Sequence, residues 1–247
     1  MTQLPGSEVI LTFSVDALIT YLNEDTGSSA AGIRVGLDAG LVQRLLAAKE
    51  RGRRALVQHS LYDHLRAEVG APHATPFFLH SLRSNRSLWF VHFSQSWRAR
   101  DEIGQIHWSA AQGFADHRGD AGFRPLGFMP ERFLDPDQFT LDFAFDEAAK
   151  GRTVAALTSQ VPGLVETMTR ASGPPTLRGI FEHHGGPTPV TLRMLRQHIG
   201  QMQAEKELIV RAPSGKERRQ GVNIDPDDRI ERKQQTAFHF MRAPRAP

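Results

Sequence analysis

The first apolar run, Glu8 to Ser14 (EVILTFS), is short and nearly continuous, which predicts a strand covered on both faces. Asp16 to Leu22 then reads as a helix, and Glu24 to Ala31 as a polar, Gly/Ser-rich loop. Helical spacing follows twice, over Ala39 to Arg51 with Leu41, Leu45 and Leu46 on one face, and over Arg54 to Val69 with Leu56, Val57, Leu61 and Leu65. Arg44, Lys49, Arg51, Arg53 and Arg54 fall on the outer faces. Aromatic and branched residues in Pro76 to Leu82 and Leu88 to Phe93 flank a polar, Asn-containing linker, the pattern of a β-hairpin. Ser96 is placed to cap a helix over Trp97 to His117. A Gly/Pro-punctuated stretch, Gly119 to Pro136, leads to the alternating segment Phe139 to Phe145, an edge strand or short link.

Asp146 to Arg170 is helical in pattern with an expected interruption at Pro162, and Ala171 to Pro175 is the clearest break in the chain. Two regions are therefore expected, 1–173 and 174–247. In the second, Thr176 caps a short helix to His184 that Gly185 and Gly186 stop, and a further helical region runs from Pro187 to about Glu205. Its apolar face is Val190, Leu192, Leu195, Ile199 and Met202. Leu208 to Arg211, a turn at Pro213 to Gly215, the basic arm Lys216 to Arg219, Asp225 to Asp228 and Ile230 to Phe240 complete it. Two short helices and a hairpin around a basic loop make a winged helix-turn-helix pattern. Its second helix would offer Arg193, Arg196 and Gln197 to a nucleic-acid groove, and its wing Lys216, Arg218 and Arg219 to phosphates. Modules of this shape also serve as protein-interaction surfaces.

Composition narrows the classes. With 247 residues, 40% hydrophobic and 23% charged, the chain is expected to fold rather than remain disordered. The absence of cysteine removes disulfides, thiolate nucleophiles and iron–sulfur ligation. No apolar run reaches the roughly 20 residues of a spanning helix, and the first residues lack a signal-peptide layout, so a cytoplasmic protein with no membrane association is expected. Charge is unevenly divided. Residues 1–173 carry 17 basic and 19 acidic side chains, residues 174–247 carry 13 and 8, so the basic excess lies in the tail third, as a polyanion-binding surface requires.

Chemistry is sparser. Ser94, Gln95, Arg98, Arg100, Asp101, Glu102 and His107, directly after a predicted strand, form the densest polar group, and Asp16 follows the first strand; of these, Ser94, Arg98, Asp101 and His107 with Asp16 are the candidate pocket positions. Ordinary helix-surface pairing of Arg98 with Asp101 or Glu102 is the plainer account. Eleven histidines include no H-E-x-x-H, adjacent His183 and His184 are expected to diverge, and His59, His64 and His73 with Asp63 make only a sparse group, so no metal site is assigned. His80 and His92 sit on opposite hairpin arms, where they would have a structural role. No G-x-S-x-G elbow or G-x-G-x-x-G turn occurs; Gly32, Gly36 and Gly40 follow no strand.

The stretches SEVILTF (Ser7 to Phe13), SLWFVHFSQSWRARDEIGQIHW (Ser87 to Trp108), GFRPLGF (Gly122 to Phe128) and the tail from Pro174 resemble the three-Cys-motif partner proteins. That resemblance implies an α/β fold, a partial Rossmann or methyltransferase-like sheet followed by a C-terminal winged helix, with Glu8 to Ser14 as the fifth strand and the hairpin as the sixth and antiparallel seventh. It also implies that the cofactor-binding strands are absent from this chain, so S-adenosylmethionine would bind only with a partner. The expected function is a nucleic-acid-binding accessory or recognition subunit of a mobile-element or defence-associated system, contacting DNA, or alternatively RNA, and working with a protein partner or as a homodimer. A split nucleic-acid methyltransferase or nuclease, and a protein-interaction scaffold, are the alternatives. The leading expectation requires Arg193, Lys216 and Arg218 to share one open surface, free of carboxylates.

Overall fold

A computed structural model describes residues 7–20, 36–48, 50–81, 86–110, 121–126 and 145–233. The chain runs β1 (Val9–Phe13), α1 (Val15–Thr20), α2 (Ala39–Ala47), α3 (Glu50–Val69), β2 (His73–Ser81), β3 (Arg86–Ser94) and α4 (Trp97–Ala110). It continues through α5 (Glu147–Ser172), α6 (Leu177–His184), α7 (Leu192–Ala204), β4 (Leu208–Arg211) and β5 (Arg229–Arg232). This is a mixed α/β architecture whose described strands form two small antiparallel sheets.

The first sheet has the order β1-β3-β2, with β3 antiparallel to both neighbours. Strand alternation divides its side chains. Val9, Leu11 and Phe13 of β1 lie opposite Phe93, Val91 and Trp89 of β3, and this face packs on Leu41, Val42 and Leu45 of α2 and Val57 and Leu61 of α3. The reverse face carries Phe77 and Phe90, which meet Ile103 and Trp108 of α4, Leu126, Phe145 and Ala149. The sheet is thus a middle layer between helices, but among the described residues the second layer does not reach β1. Ile10, 57% exposed, shows that β1 is covered on one face only, contrary to the expectation from its apolar run. A short apolar run does not distinguish a central strand from the margin of a small sheet.

The hairpin forms where expected, but its register is His92 with Thr75 and His80 with Ser87, so the two histidines do not pair. The expected 139–144 strand, the C-terminal extension of the helix after Trp97 beyond Ala110, and the end of the chain beyond Lys233 lie outside the described residues.

The third core lies across the expected junction at 173. Leu157, Val161 and Val165 of α5 share one cluster with Leu177, Ile180 and Phe181 of α6, Leu195, Ile199 and Met202 of α7, and Leu208, Val210 and Ile230 of the second sheet. Helix α5 passes through Pro162 without ending. Its buried stripe Ala149, Thr153, Leu157, Val161 and Val165 recurs every four residues on both sides of the proline, and that burial outweighs a penalty of about 3 kcal/mol. Asp146 starts α5, its side chain accepting from Ala149 N at 2.7 Å, and Thr176 and Thr191 cap α6 and α7 in the same manner. The cap at Thr191 starts α7 later in the chain than the expected beginning at Pro187, because Pro187 and Pro189 both lie in the turn before it.

Candidate functional site

After α6, the chain turns through residues 185–191 into α7. Gly185 ends α6 where no side chain fits; a Cβ there would lie 2.5 Å from the Phe181 carbonyl oxygen. Helix α7 buries Leu192, Met194, Leu195, His198, Ile199, Met202 and Gln203, and exposes Arg193, Gln197, Gln201 and Ala204, with Arg196 and Gly200 half-buried at the border. At 100° per residue, Arg193, Gln197 and Gln201 lie within a quarter of the helix circumference, while Arg196 and Gln203 lie on its other flank. Arg196 Nε is buried with no hydrogen-bond partner among the described residues.

Beyond α7, β4 pairs with β5 from Leu208 opposite Arg232 to Arg211 opposite Arg229. Thr176 bridges to Arg229 on the far side of β5, and Glu217 bridges to Arg211 on the far side of β4. The intervening loop turns at Gly215, whose φ of 85° suits glycine, and closes with Ala212 N donating to Lys216 O at 2.8 Å. It is fastened to α7: Gln203 Nε2 donates to Arg218 O at 2.7 Å, and Gln220 Nε2 donates to Gln203 O at 3.3 Å.

The six sequence-expected binding residues fare differently. Arg193, Gln197, Lys216 and Arg219 are exposed, and no ion pair involves these among the described residues. Arg196 is half-buried. Arg218 is corrected: its guanidinium binds Asp225 Oδ2 at 2.5 Å and Asp228 Oδ1 at 2.9 Å, and these carboxylates raise its pKa, the bond to Asp228 most. Asp228 is fully buried and also accepts from Asp225 N at 2.8 Å, so Arg218, its side chain 26% exposed, closes the base of the loop with its charge paired. The sequence concealed this because the balancing acids lie seven and ten residues downstream, across a turn. Other tail arginines are likewise committed, Arg178 to Asp227, Arg211 to Glu231 and Arg232 to Glu166. Fewer tail arginines are therefore free of a carboxylate than the composition suggests.

Of the five expected pocket residues, four have described side chains, and each makes its own separate contacts. Ser94 is buried, donating to Glu8 Oε1 at 2.8 Å, and Glu8 also holds His92 Nε2 at 2.6 Å. This group lies where β3 ends, which is where β1 and β2 begin, because β3 runs antiparallel to both; it is the opposite lip of the sheet from the end of β1. Arg98 is exposed with its guanidinium 4.7 Å from the Trp97 ring centre. Asp101 Oδ1 accepts from Leu192 N at 2.6 Å and Oδ2 from Gln105 Nε2 at 2.9 Å. His107 stacks on Phe77, with ring centres 3.2 Å apart, inside the aromatic cluster. Asp16 lies in α1, and its side chain is outside the described residues. His183 and His184 do not diverge; their rings meet edge to face at 4.7 Å. Among the described residues no group of three or more His, Asp or Glu side chains is arranged to hold a metal.

The residue whose role sequence reasoning missed is Arg100. It is 1% exposed and donates from Nη1 to Val190 O at 2.6 Å, and from Nη2 to Thr188 O at 2.9 Å and to Gly185 O. Its guanidinium also lies 4.5 Å from the Phe181 ring centre. Burial pulls its pKa down to about 10, with Asp101 opposing the shift. With Trp108 Nε1 donating to Pro189 O at 2.8 Å and Asp101 holding Leu192 N, α4 clasps the whole turn between α6 and α7. A signal was present: Trp97, Arg100, Gly104 and His107 share one helical face, so Arg100 interrupts a stripe whose other members are aromatic or small.

No protein-family model, no curated protein and no solved structure matches this chain. No helix among the described residues is long and apolar enough to cross a membrane.

Proposed function

We propose that residues 174–233, with the second half of α5, form a winged helix-turn-helix that binds nucleic acid, and that the protein acts as an accessory or recognition subunit of a nucleic-acid-directed system. The observation that carries this reading is the exposure of cationic and amide side chains on α7 and on the loop fastened to its C-terminal end. Arg193 and Gln197 stand exposed on α7, Lys216 and Arg219 stand exposed on the loop, and Gln203 and Gln220 bind that loop to the helix. The order α5, Thr176 bridge, α6, α7, β4, loop, β5 supports the winged-helix assignment. Arg218 fails the requirement of being free of carboxylates, since it is paired with Asp225 and Asp228, so the reading is narrowed to Arg193, Gln197, Lys216 and Arg219. The resemblance to three-Cys-motif partner proteins remains part of this proposal.

Titration of a labelled DNA duplex with the full chain across salt concentrations tests it. Each phosphate contact contributes about 0.9 to the slope of log K against log salt, so changing Lys216 and Arg219 together to alanine flattens the slope by about 1.8. Absent or salt-insensitive binding refutes the proposal and favours a protein-interaction scaffold.

A second reading, a methyltransferase-like sheet completed by another chain, is supported by the order β1-β3-β2 with the antiparallel strand in the middle, as expected for fifth, seventh and sixth strands. In this reading S-adenosylmethionine is held by the other chain. The turn after β1 is made by Ser14, whose Oγ accepts from Ala17 N at 3.3 Å, with no glycine to let a ligand approach the backbone. Calorimetric binding of S-adenosylmethionine by this chain alone would contradict that division between two chains.

A further inference from the structure

We infer that β1 pairs antiparallel with β1 of a second copy of this chain, so that the protein is a two-fold dimer built on one continuous six-stranded sheet. This interface involves only residues 8–14 and does not depend on nucleic-acid binding. Among the described residues the two sheets have four outer edges, and three of them are occupied or blunted. In the second sheet, Glu217 bridges to Arg211 beyond β4, and Thr176 bridges to Arg229 beyond β5. In the first sheet, β2 carries Pro76, which has no N–H to offer, and its Ala74 carbonyl already accepts from the Tyr62 hydroxyl at 2.8 Å. Strand β1 has none of these protections. Val9–Phe13 reads VILTF, without proline, glycine or charge, and it pairs with β3 in unbroken register, so no bulge turns its outer edge away. The adjacent acid does not guard that edge, because Glu8 reaches back to Ser94 and His92 of β3.

The strand is self-complementary, and this selects the occupant. About a two-fold axis at Leu11, antiparallel pairing sets Val9 against Phe13, Ile10 against Thr12 and Leu11 against Leu11 of the second copy. Alternation keeps Val9, Leu11 and Phe13 on the half-buried face, so the seam continues the apolar layer that packs on α2 and α3. On the reverse face Ile10, 57% exposed, gains Thr12 of the second copy as its neighbour, and Thr12 is exposed as well. Charge permits the pairing. Glu8 falls opposite Ser14, and the two Glu8 residues stand about 20 Å apart along the seam, beyond a Debye length of about 8 Å. Assembly stops at two copies, because pairing uses the one open edge of each and leaves the blunted β2 edges outermost.

Sedimentation velocity of the full chain, from low micromolar to near-millimolar concentration, tests the dimer, and the wild-type chain is expected to reach it. Ile10→Lys, at an exposed position, replaces an apolar cross-strand contact with a charge at the seam. It is expected to weaken dimerisation about tenfold or more and to leave the circular dichroism spectrum unchanged. The chain has no cysteine, so Leu11→Cys introduces a single thiol on the two-fold axis, where oxidation by diamide is expected to link two copies. Val222→Cys, 45% exposed on the loop between β4 and β5, is the control and is expected to link far more slowly. A wild-type chain that stays monomeric throughout, a dimer that Ile10→Lys leaves intact, or Leu11→Cys that links no faster than Val222→Cys overturns the inference; the first of these leaves the β1 edge to a different chain.

Discussion

Replacing Arg100 with methionine isolates what the guanidinium does, because methionine keeps an unbranched apolar stem in a fully buried position. Three carbonyls lose a donor, those of Val190, Thr188 and Gly185. The Gly185 oxygen retains Thr188 Oγ1 at 3.0 Å and Thr188 N at 3.2 Å, so the loss falls chiefly on the other two. A buried acceptor deprived of its partner costs about 1–3 kcal/mol, giving about 2–6 kcal/mol for the pair. The contact with the Phe181 ring adds roughly 1 kcal/mol. Opposing this is relief from burying a cation. A pKa drawn from 12.5 to about 10 corresponds to roughly 3 kcal/mol, which the neutral side chain recovers. The terms span about 0–4 kcal/mol, and because the lost bonds are short and charge-assisted the expected net destabilisation is about 2 kcal/mol, the middle of that span. Urea denaturation followed by tryptophan emission measures it; Trp108, bonded to Pro189 O, and Trp97, packed on the third core, report on the clasped region directly. An unchanged or raised midpoint for Arg100→Met refutes the argument that this arginine holds the turn.

Acid should weaken the fold before any carboxylate titrates. His73, His184 and His198 are each held below the ordinary 6.5, in every case chiefly by burial. A folded state that takes up fewer protons than the unfolded one keeps its full stability above about pH 6.5 and loses it as pH falls toward the folded values. The urea midpoint should drop between about pH 7.5 and about pH 5.5, less steeply for His198→Leu; a midpoint that rises with acid contradicts the burial of these rings. At the wing, Arg218→Ala leaves the fully buried Asp228 carboxylate without its cation, and limited proteolysis within 212–228 should accelerate; equal cleavage rates for the two proteins would show that the lock does not order the loop.

The alternation of apolar and polar residues was enough to place the hairpin, the helices before it, the cap at Thr176, and the succession of two short helices and two strands in the tail. These depend on which residues of a local segment meet the core, and that information is periodic in the chain. What the chain alone did not reveal is what its polar residues do. Arg100 bonds to carbonyls 85 to 90 positions away, and Asp101 bonds to Leu192, 91 positions away. Arg218 looked like an open phosphate ligand and is instead closed by acids brought back by a turn. A charged side chain has the same local signature whether it faces water or satisfies a buried carbonyl, because burial of a cation is permitted or forbidden by partners that only tertiary packing supplies.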